Sequence, residues 1–176
     1  ACTLSAAEPL PAAIRPAVWN LLQVPGGGEI VIPLKGLAAP DSYFGRQQVR
    51  QAGDRLYASV PVASDSYKFG VQPVHCRGLM LYLDLAAPQP FLIVRRFNVG
   101  AQGDYFDVPY RNLQQQGAVQ QVYVDDGTYG GFGEMEHHSP ALVPGRCSSV
   151  TDTCTTWAFA GPDGALRELA ETYLVP

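Results

Sequence analysis

Short runs of alternating or β-rich residues make up most of the chain, and glycine and proline separate them. The chain holds 18 glycines and 15 prolines, so each regular segment between them is short. Runs of this length and pattern predict β-strands. The predicted strands span residues 29–34, 46–50, 55–60, 79–85, 91–97, 118–124, 132–138 and 155–160.

One amphipathic helix is predicted at the C-terminal end. Leu166, Leu169, Ala170 and Tyr173 follow the i, i+3, i+4, i+7 spacing of a helix with one apolar face. Asp163 precedes them and is predicted to be the N-cap. The helix is expected to pack across a sheet.

Two other segments have weaker patterns. Residues 110–115 could form a second short helix. Residues 1–13 are rich in alanine and proline and are read as a lead-in, within which residues 3–6 could pair as an edge strand. Together the patterns predict a single all-β domain over residues 1–176, an antiparallel β-sandwich with a short C-terminal helix.

Composition and charge narrow the range of partners. The formal net charge is -4, and 16% of the residues are charged, so the dense basic surface of a nucleic-acid-binding protein is not expected. No apolar stretch reaches the roughly 20 residues that cross a bilayer. We therefore expect neither a nucleic-acid partner nor a membrane span.

The four cysteines do not determine whether the protein is exported or cytoplasmic. Cys2, Cys76, Cys147 and Cys154 allow three pairings if all are oxidised. Cys147 and Cys154 flank a polar, turn-like loop and could be bridged, whereas free thiols would suit a cytoplasmic protein. Ala1-Cys2 could be the product of a lipoprotein cleavage, or an arbitrary boundary, so exported and cytoplasmic locations both stay open.

The most informative segment is the predicted strand 132–138. Side chains alternate along a strand, so Glu134, Glu136 and His138 share one face, each about 6.5–7 Å from the next. Two carboxylates and an imidazole can perform acid–base chemistry. Two alternatives remain: the row simply faces water, or Glu136 and His138 share a cation, although no further ligands occur at a matching spacing.

Two further groups are candidates for ligand contacts. Arg95 and Arg96 are adjacent in a predicted strand and must face opposite sides, so at least one could reach a pocket or partner; the alternative is one surface arginine and one structural ion pair. Among the scattered aromatic residues, Trp19 and Tyr105 are candidate platforms for a sugar ring.

Motifs for other enzyme classes are absent. The chain has no GxSxG, no P-loop and no GxGxxG after a strand. His75 lies beside Cys76, but neighbours in a strand point apart, so a Cys–His nucleophile is not expected.

The order of the short motifs resembles the C-terminal half of galactose-mutarotase-like proteins, the aldose 1-epimerase superfamily. The similarity runs from about Ile14 onward. The motifs are a Trp-containing strand at 16–24, Lys68-Phe69-Gly70, Arg95-Arg96-Phe97, Tyr105-Phe106-Asp107, a Glu-x-Glu strand at Glu134 and Glu136, and Leu142-Val143-Pro144-Gly145.

The resemblance implies a β-supersandwich that binds carbohydrate on a sheet face and interconverts sugar anomers. It implies a glutamate as the base for the anomeric hydroxyl, with Glu136 first and Glu134 second, and no cofactor. The acid is a histidine in that family; from chemistry alone His138 and His75 are the candidates here. A noncatalytic carbohydrate-binding or structural β-sandwich is the alternative, and a homodimer is a further hypothesis.

Overall fold

Thirteen strands and one helix form the described part of the computed structural model. It describes residues 1–11, 13–63, 65–100, 102–109 and 116–175. The strands pair antiparallel in three sheets. The predicted all-β sandwich with a short C-terminal helix is therefore confirmed.

The first layer is a five-stranded sheet that carries the candidate site. Its spatial order is β2-β11-β10-β7-β4. The strands are β2 (Trp19–Pro25), β4 (Asp41–Phe44), β7 (Tyr67–Val71), β10 (Gln120–Val124) and β11 (Phe132–His138).

The second layer is a six-stranded sheet in the order β13-β9-β8-β3-β6-β5. The strands are β3 (Glu29–Pro33), β5 (Val49–Ala52), β6 (Arg55–Ser59), β8 (Leu79–Asp84), β9 (Phe91–Phe97) and β13 (Cys154–Ala160). A small two-stranded sheet joins β1 (Cys2–Ser5) to β12 (Ser149–Asp152).

The main core lies between the two large sheets. Their facing sides supply apolar residues such as Ile30, Leu56, Phe69, Val122 and Met135, all with almost no exposed surface. Burial of this surface is the main favourable contribution to the stability of the sandwich.

A second core covers the other side of the six-stranded sheet. The helix α1 (Asp163–Leu174) buries Leu166, Ala170 and Leu174 against that sheet. The predicted stripe is thus real, but Pro162 occupies the N-cap position and Asp163 is the first helical residue, without a side-chain cap hydrogen bond. Only the five-stranded sheet keeps an outer face that no other described layer covers.

Several boundaries differ from the sequence prediction. The strand predicted at 46–50 begins at Val49 and ends at Ala52, and β4, β7 and β12 were not among the predicted strands. The residue pattern did not predict β2 either; only the family resemblance implied a strand at 16–24, which in the structure spans Trp19–Pro25. Residues 2–5 of the lead-in form β1. The short helix predicted at 110–115 lies outside the described residues.

The bridge considered between Cys147 and Cys154 is not formed. All four cysteines have free thiols, and Cys147 and Cys154 do not face each other in a hairpin, because β12 pairs with β1 whereas β13 pairs with β9.

Across the described ranges no helix has the length and apolar character needed to cross a bilayer.

Candidate functional site

The outer face of the five-stranded sheet brings together the row predicted on β11. Glu134, Glu136 and His138 alternate with Met135 and His137, which point into the core side. The neighbouring strands place other polar and aromatic residues on this face. They are Trp19 and Gln23 from β2, Gln121 and Tyr123 from β10, Lys68 from β7, and Asp41 and Tyr43 from β4.

Glu136 is the centre of this face. Its side chain has no exposed surface, yet it forms a 2.9 Å ion pair with Lys68 and accepts a 2.8 Å hydrogen bond from Trp19 Nε1. Both contacts are made to Oε2. Among the described residues Oε1 has no hydrogen-bond partner. A buried carboxylate is tolerated here because an ammonium group and an indole N–H both stabilise its charge.

Lys68 reaches Glu136 across β10. Its ammonium group lies 5.7 Å from the centre of the Tyr43 ring, in a cation–π arrangement. Two residues further along β7, Gly70 leaves room for the neighbouring strands, since a Cβ there would lie 2.4 Å from the Ala118 methyl group. The small residue therefore allows Tyr43 and Gln121 to approach the sheet surface.

Gln121 lies directly opposite Glu136 on β10. Its amide nitrogen donates to the Asp107 carboxylate at 2.7 Å and to the Tyr43 hydroxyl at 3.1 Å. The Tyr43 hydroxyl donates in turn to the Asp107 carbonyl at 2.6 Å, and burial raises the pKa of Tyr43. Gln121 Oε1 has no partner among the described residues, so two acceptor oxygens on paired positions stay unsatisfied.

His138 packs between Trp19 and Asp107. Its ring is nearly parallel to the Trp19 ring, with centroids 6.4 Å apart, and Nε2 lies 3.3 Å from the Asp107 carboxylate. That distance suits an ion pair, but the angles do not make a hydrogen bond, and the buried Nε2 has no hydrogen-bond partner among the described residues. Burial lowers the pKa of His138, against the opposing effects of Asp107 and Glu136, so the neutral imidazole is favoured at neutral pH.

Trp19 is the most distinctive member of the site. It is 56% exposed although its N–H is fixed by Glu136. The indole is therefore held in place while much of its surface is open to solvent. A fixed, exposed indole is a suitable platform for a ligand with an apolar face.

Glu134 contributes at the margin of the site. It accepts a 3.1 Å hydrogen bond from Gln23 Nε2 in an exposed position. Being more solvated than Glu136, it is suited to contact a ligand without the cost of breaking a buried pair.

The opposite face of the same strands holds a buried polar cluster. Arg95 donates to the Met135 carbonyl at 2.9 Å, to the Asn20 side-chain oxygen, and to His137 Nδ1 at 3.3 Å. His137 Nε2 lies 3.1 Å from both oxygens of the Asp152 carboxylate. This cluster joins all three sheets through their side chains.

The hydrogen bonds of this cluster determine the tautomer of His137. Arginine can only donate, so Nδ1 must be the acceptor and Nε2 carries the hydrogen toward Asp152. Burial lowers the pKa of His137, aided by Arg95 and opposed by Asp152. The neutral imidazole therefore connects the Arg95 guanidinium to the Asp152 carboxylate by hydrogen bonds.

The structure separates several residues that the sequence grouped with the site. Arg95 is only 2% exposed and faces the interior, because β9 turns that side toward the five-stranded sheet. Arg96 is exposed on the other side of the six-stranded sheet. Tyr105 is buried, and its hydroxyl oxygen accepts a 3.0 Å hydrogen bond from the Gly100 amide. His75 lies beside the Lys35 carbonyl. None of these four contacts the Trp19–Glu136 region in a hydrogen bond, ion pair or ring contact that the structure describes.

Four residues of the site were not predicted as site residues. They are Lys68, Tyr43, Gln121 and Asp107. Lys68 offered a signal, since it is one of only two lysines in the chain and sits in an otherwise apolar β-rich run. The other three come from strands or loops far away in sequence, so only the sheet order shows that they meet.

The site lies on the outer face of the five-stranded sheet, where Asp107 packs against Gln121 and His138 while Trp19 stays exposed. Two clefts of about 460 and 590 Å³ lie elsewhere, the first between residues 6–10 and 144–148 and the second beside Gly27 and Arg167. Within the described ranges no group of three or more His, Cys, Asp or Glu residues could hold a metal ion.

Comparisons with known proteins leave the site to be interpreted from its geometry. No family model matches the chain, and no curated protein and no solved structure matches it.

Proposed function

We propose that the outer face of the five-stranded sheet binds carbohydrate, with Trp19 as the platform for a sugar ring. The observation that carries the proposal is the exposed indole whose N–H is fixed at 2.8 Å by a buried carboxylate. Sugars present C–H groups on one side of the ring, which pack against an aromatic surface, and hydroxyl groups at the rim. The order of motifs that resembles mutarotase-like proteins favours the same class of ligand.

The polar groups around Trp19 suit hydroxyl groups. Gln121 Oε1 and Glu136 Oε1 have no donor among the described residues and no exposed surface, so a sugar hydroxyl would supply one only if the side chains above them rearrange. Glu134 and Gln23 offer further hydrogen-bonding atoms nearby. Such a surface would orient a ligand by hydrogen bonds while the indole supplies the apolar contact.

Trp19→Ala is expected to abolish or weaken sugar binding by about tenfold or more, because the apolar contact disappears. The measurement is calorimetric titration with cello-, malto-, xylo- and galacto-oligosaccharides. Tyr57→Ala is the matched control: it removes a partly exposed aromatic residue of the other large sheet, where Arg50 lies 3.9 Å above the ring centre. The native chain should bind at least one series and the control should retain that affinity. Failure of every series to bind the native chain would refute the proposed function.

A second candidate function is interconversion of sugar anomers. It is favoured by Glu136 Oε1 and His138 Nε2, which have no hydrogen-bond partner in the described ranges and belong to residues two positions apart on one face. Glu136 would take the proton of the anomeric hydroxyl while an acid protonates the ring oxygen; the bond from the anomeric carbon to that oxygen then breaks and re-forms on the other face. Binding is placed first because Glu136 is enclosed by Lys68 and Trp19, and because the neutral state of His138 suits a hydrogen bond better than acid catalysis.

Anomer exchange measured by NMR over a panel of aldoses distinguishes the two functions. We expect sugar binding without exchange above the buffer rate, since the Glu136 charge is already matched by Lys68. Exchange above that rate, abolished in Glu136→Gln but retained in Glu134→Gln, would instead establish an epimerase with Glu136 as its base.

A further inference from the structure

Two groups of aromatic side chains lie at opposite ends of the same sheet face. One is the pair Trp19 and His138. The other is a row of three rings, Phe44 on β4, Tyr123 on β10 and Phe132 on β11, which extends over β7 as well. The ring centroids are 6.2 Å apart for Phe44–Tyr123 and 6.1 Å apart for Tyr123–Phe132. We call the second group the aromatic row.

The separation of the two groups follows from β11. Phe132 and His138 are the first and last residues of this strand and have the same parity, so they share its outer face. At the rise of a strand, six residues correspond to about 20 Å. Trp19 pairs with His138 in register, and Tyr123 pairs with Glu134, two residues from Phe132. A ligand that touches both groups must therefore be much longer than one sugar ring.

The surface between the two groups carries accessible polar side chains. They are the hydrogen-bonded Glu134–Gln23 pair and the partly exposed Lys68, which is paired with the buried Glu136. Among the described residues carboxylates outnumber cations on this face, since Lys68 stands against Glu134, Glu136 and the nearby Asp41 and Asp107. This charge distribution complements hydroxyl donors and opposes an anionic chain.

We propose that this face binds a linear, uncharged oligosaccharide that extends from Trp19 to the aromatic row. The inference rests on the proposed function and specifies its ligand. The Trp19 end holds one sugar ring, the aromatic row holds another several units away, and the polar strip between them contacts the hydroxyl groups. Both ends are open to solvent: Trp19 is exposed, and Phe44 at the sheet edge is 47% exposed.

Calorimetric titration with a length series tests this arrangement. The probes are mono- to hexasaccharides of the neutral series that binds most tightly, with oligogalacturonides as the anionic comparison. The affinity is expected to rise by about tenfold or more between the monosaccharide and the hexasaccharide, as the second aromatic contact forms. Oligogalacturonides of equal length are expected to bind more weakly, and added salt should reduce that difference.

Variants at the two ends separate their contributions. Phe132→Ala and Phe44→Ala should each weaken the hexasaccharide several-fold and leave the monosaccharide unchanged, whereas Trp19→Ala should weaken both. Phe44 lies on an edge strand, so its variant keeps the test valid if Phe132→Ala does not fold, as judged by circular dichroism.

The outcomes distinguish an extended oligosaccharide site from carbohydrate binding in general. Equal affinity for monosaccharide and hexasaccharide, or no effect of either aromatic-row variant, would overturn the extended site and leave carbohydrate binding standing. Absence of binding at every length would refute carbohydrate binding itself. Self-association in sedimentation runs that both Trp19→Ala and Phe44→Ala abolish would make this face a contact between copies of the chain, and would also overturn the inference.

Discussion

Arg95→Met is expected to lower the free energy of unfolding by about 3–5 kcal/mol, the range for breaking a buried charged network. The guanidinium is almost completely buried and supplies hydrogen bonds to the Met135 carbonyl, Asn20 and His137. Methionine fills similar space but donates nothing, so three buried acceptors lose their donor. The buried Asp152 also loses the cation that reaches it through His137.

Urea unfolding followed by fluorescence measures this loss, and the chain supplies its own control. Arg96→Met changes the same residue type one position along β9, but its side chain is exposed. We expect that variant to stay within about 0.5 kcal/mol of the native chain. Equal stability of Arg95→Met and Arg96→Met would contradict a stabilising role for the cluster and would mean that the apolar side chain compensates for the lost hydrogen bonds.

Lys68→Met is expected to lower the free energy of unfolding by about 2–4 kcal/mol at neutral pH, somewhat less than a fully buried pair because Lys68 keeps some exposure. The substitution leaves the Glu136 carboxylate without its cation, and among the described residues only the Trp19 N–H still donates a hydrogen bond to it. An unpaired charge in an enclosed site costs free energy.

A double variant identifies the cause of this loss. Lys68→Met/Glu136→Gln should recover much of the stability at pH 7, since neither charge remains. A loss that persists unchanged in the double variant would show that Lys68 acts through packing alone.

The two predictions also bear on the proposed function in different ways. Arg95 lies on the core side, so Arg95→Met should change stability without changing sugar affinity in the folded fraction. Lys68 lies on the proposed binding face and is paired with Glu136, which also accepts the Trp19 hydrogen bond. A change in affinity in Lys68→Met, but not in Arg95→Met, would connect ligand binding to the outer face.

The alternation of residues along the chain determined the strands and the relation between neighbouring side chains. It separated Glu134, Glu136 and His138 from Met135 and His137, and it separated Arg95 from Arg96, because successive side chains in a strand point to opposite sides. The period-3.6 stripe likewise determined the C-terminal helix. The strands that were missed, such as Asp41–Phe44 and Tyr67–Val71, are only four or five residues long. Asp41–Phe44 lacks a clear alternation, whereas Tyr67, Phe69 and Val71 do alternate with Lys68 and Gly70.

Only the tertiary structure decided which of those sides faces the core. Arg95 and Arg96 are equivalent by alternation, but the packing of the two large sheets buries the first and exposes the second. The same packing brings Lys68 to Glu136 across 68 residues of sequence and places Trp19 over the pair. A strand has two faces of equal geometry, and the choice between core and solvent is made by strand order and sheet packing, which local sequence does not encode.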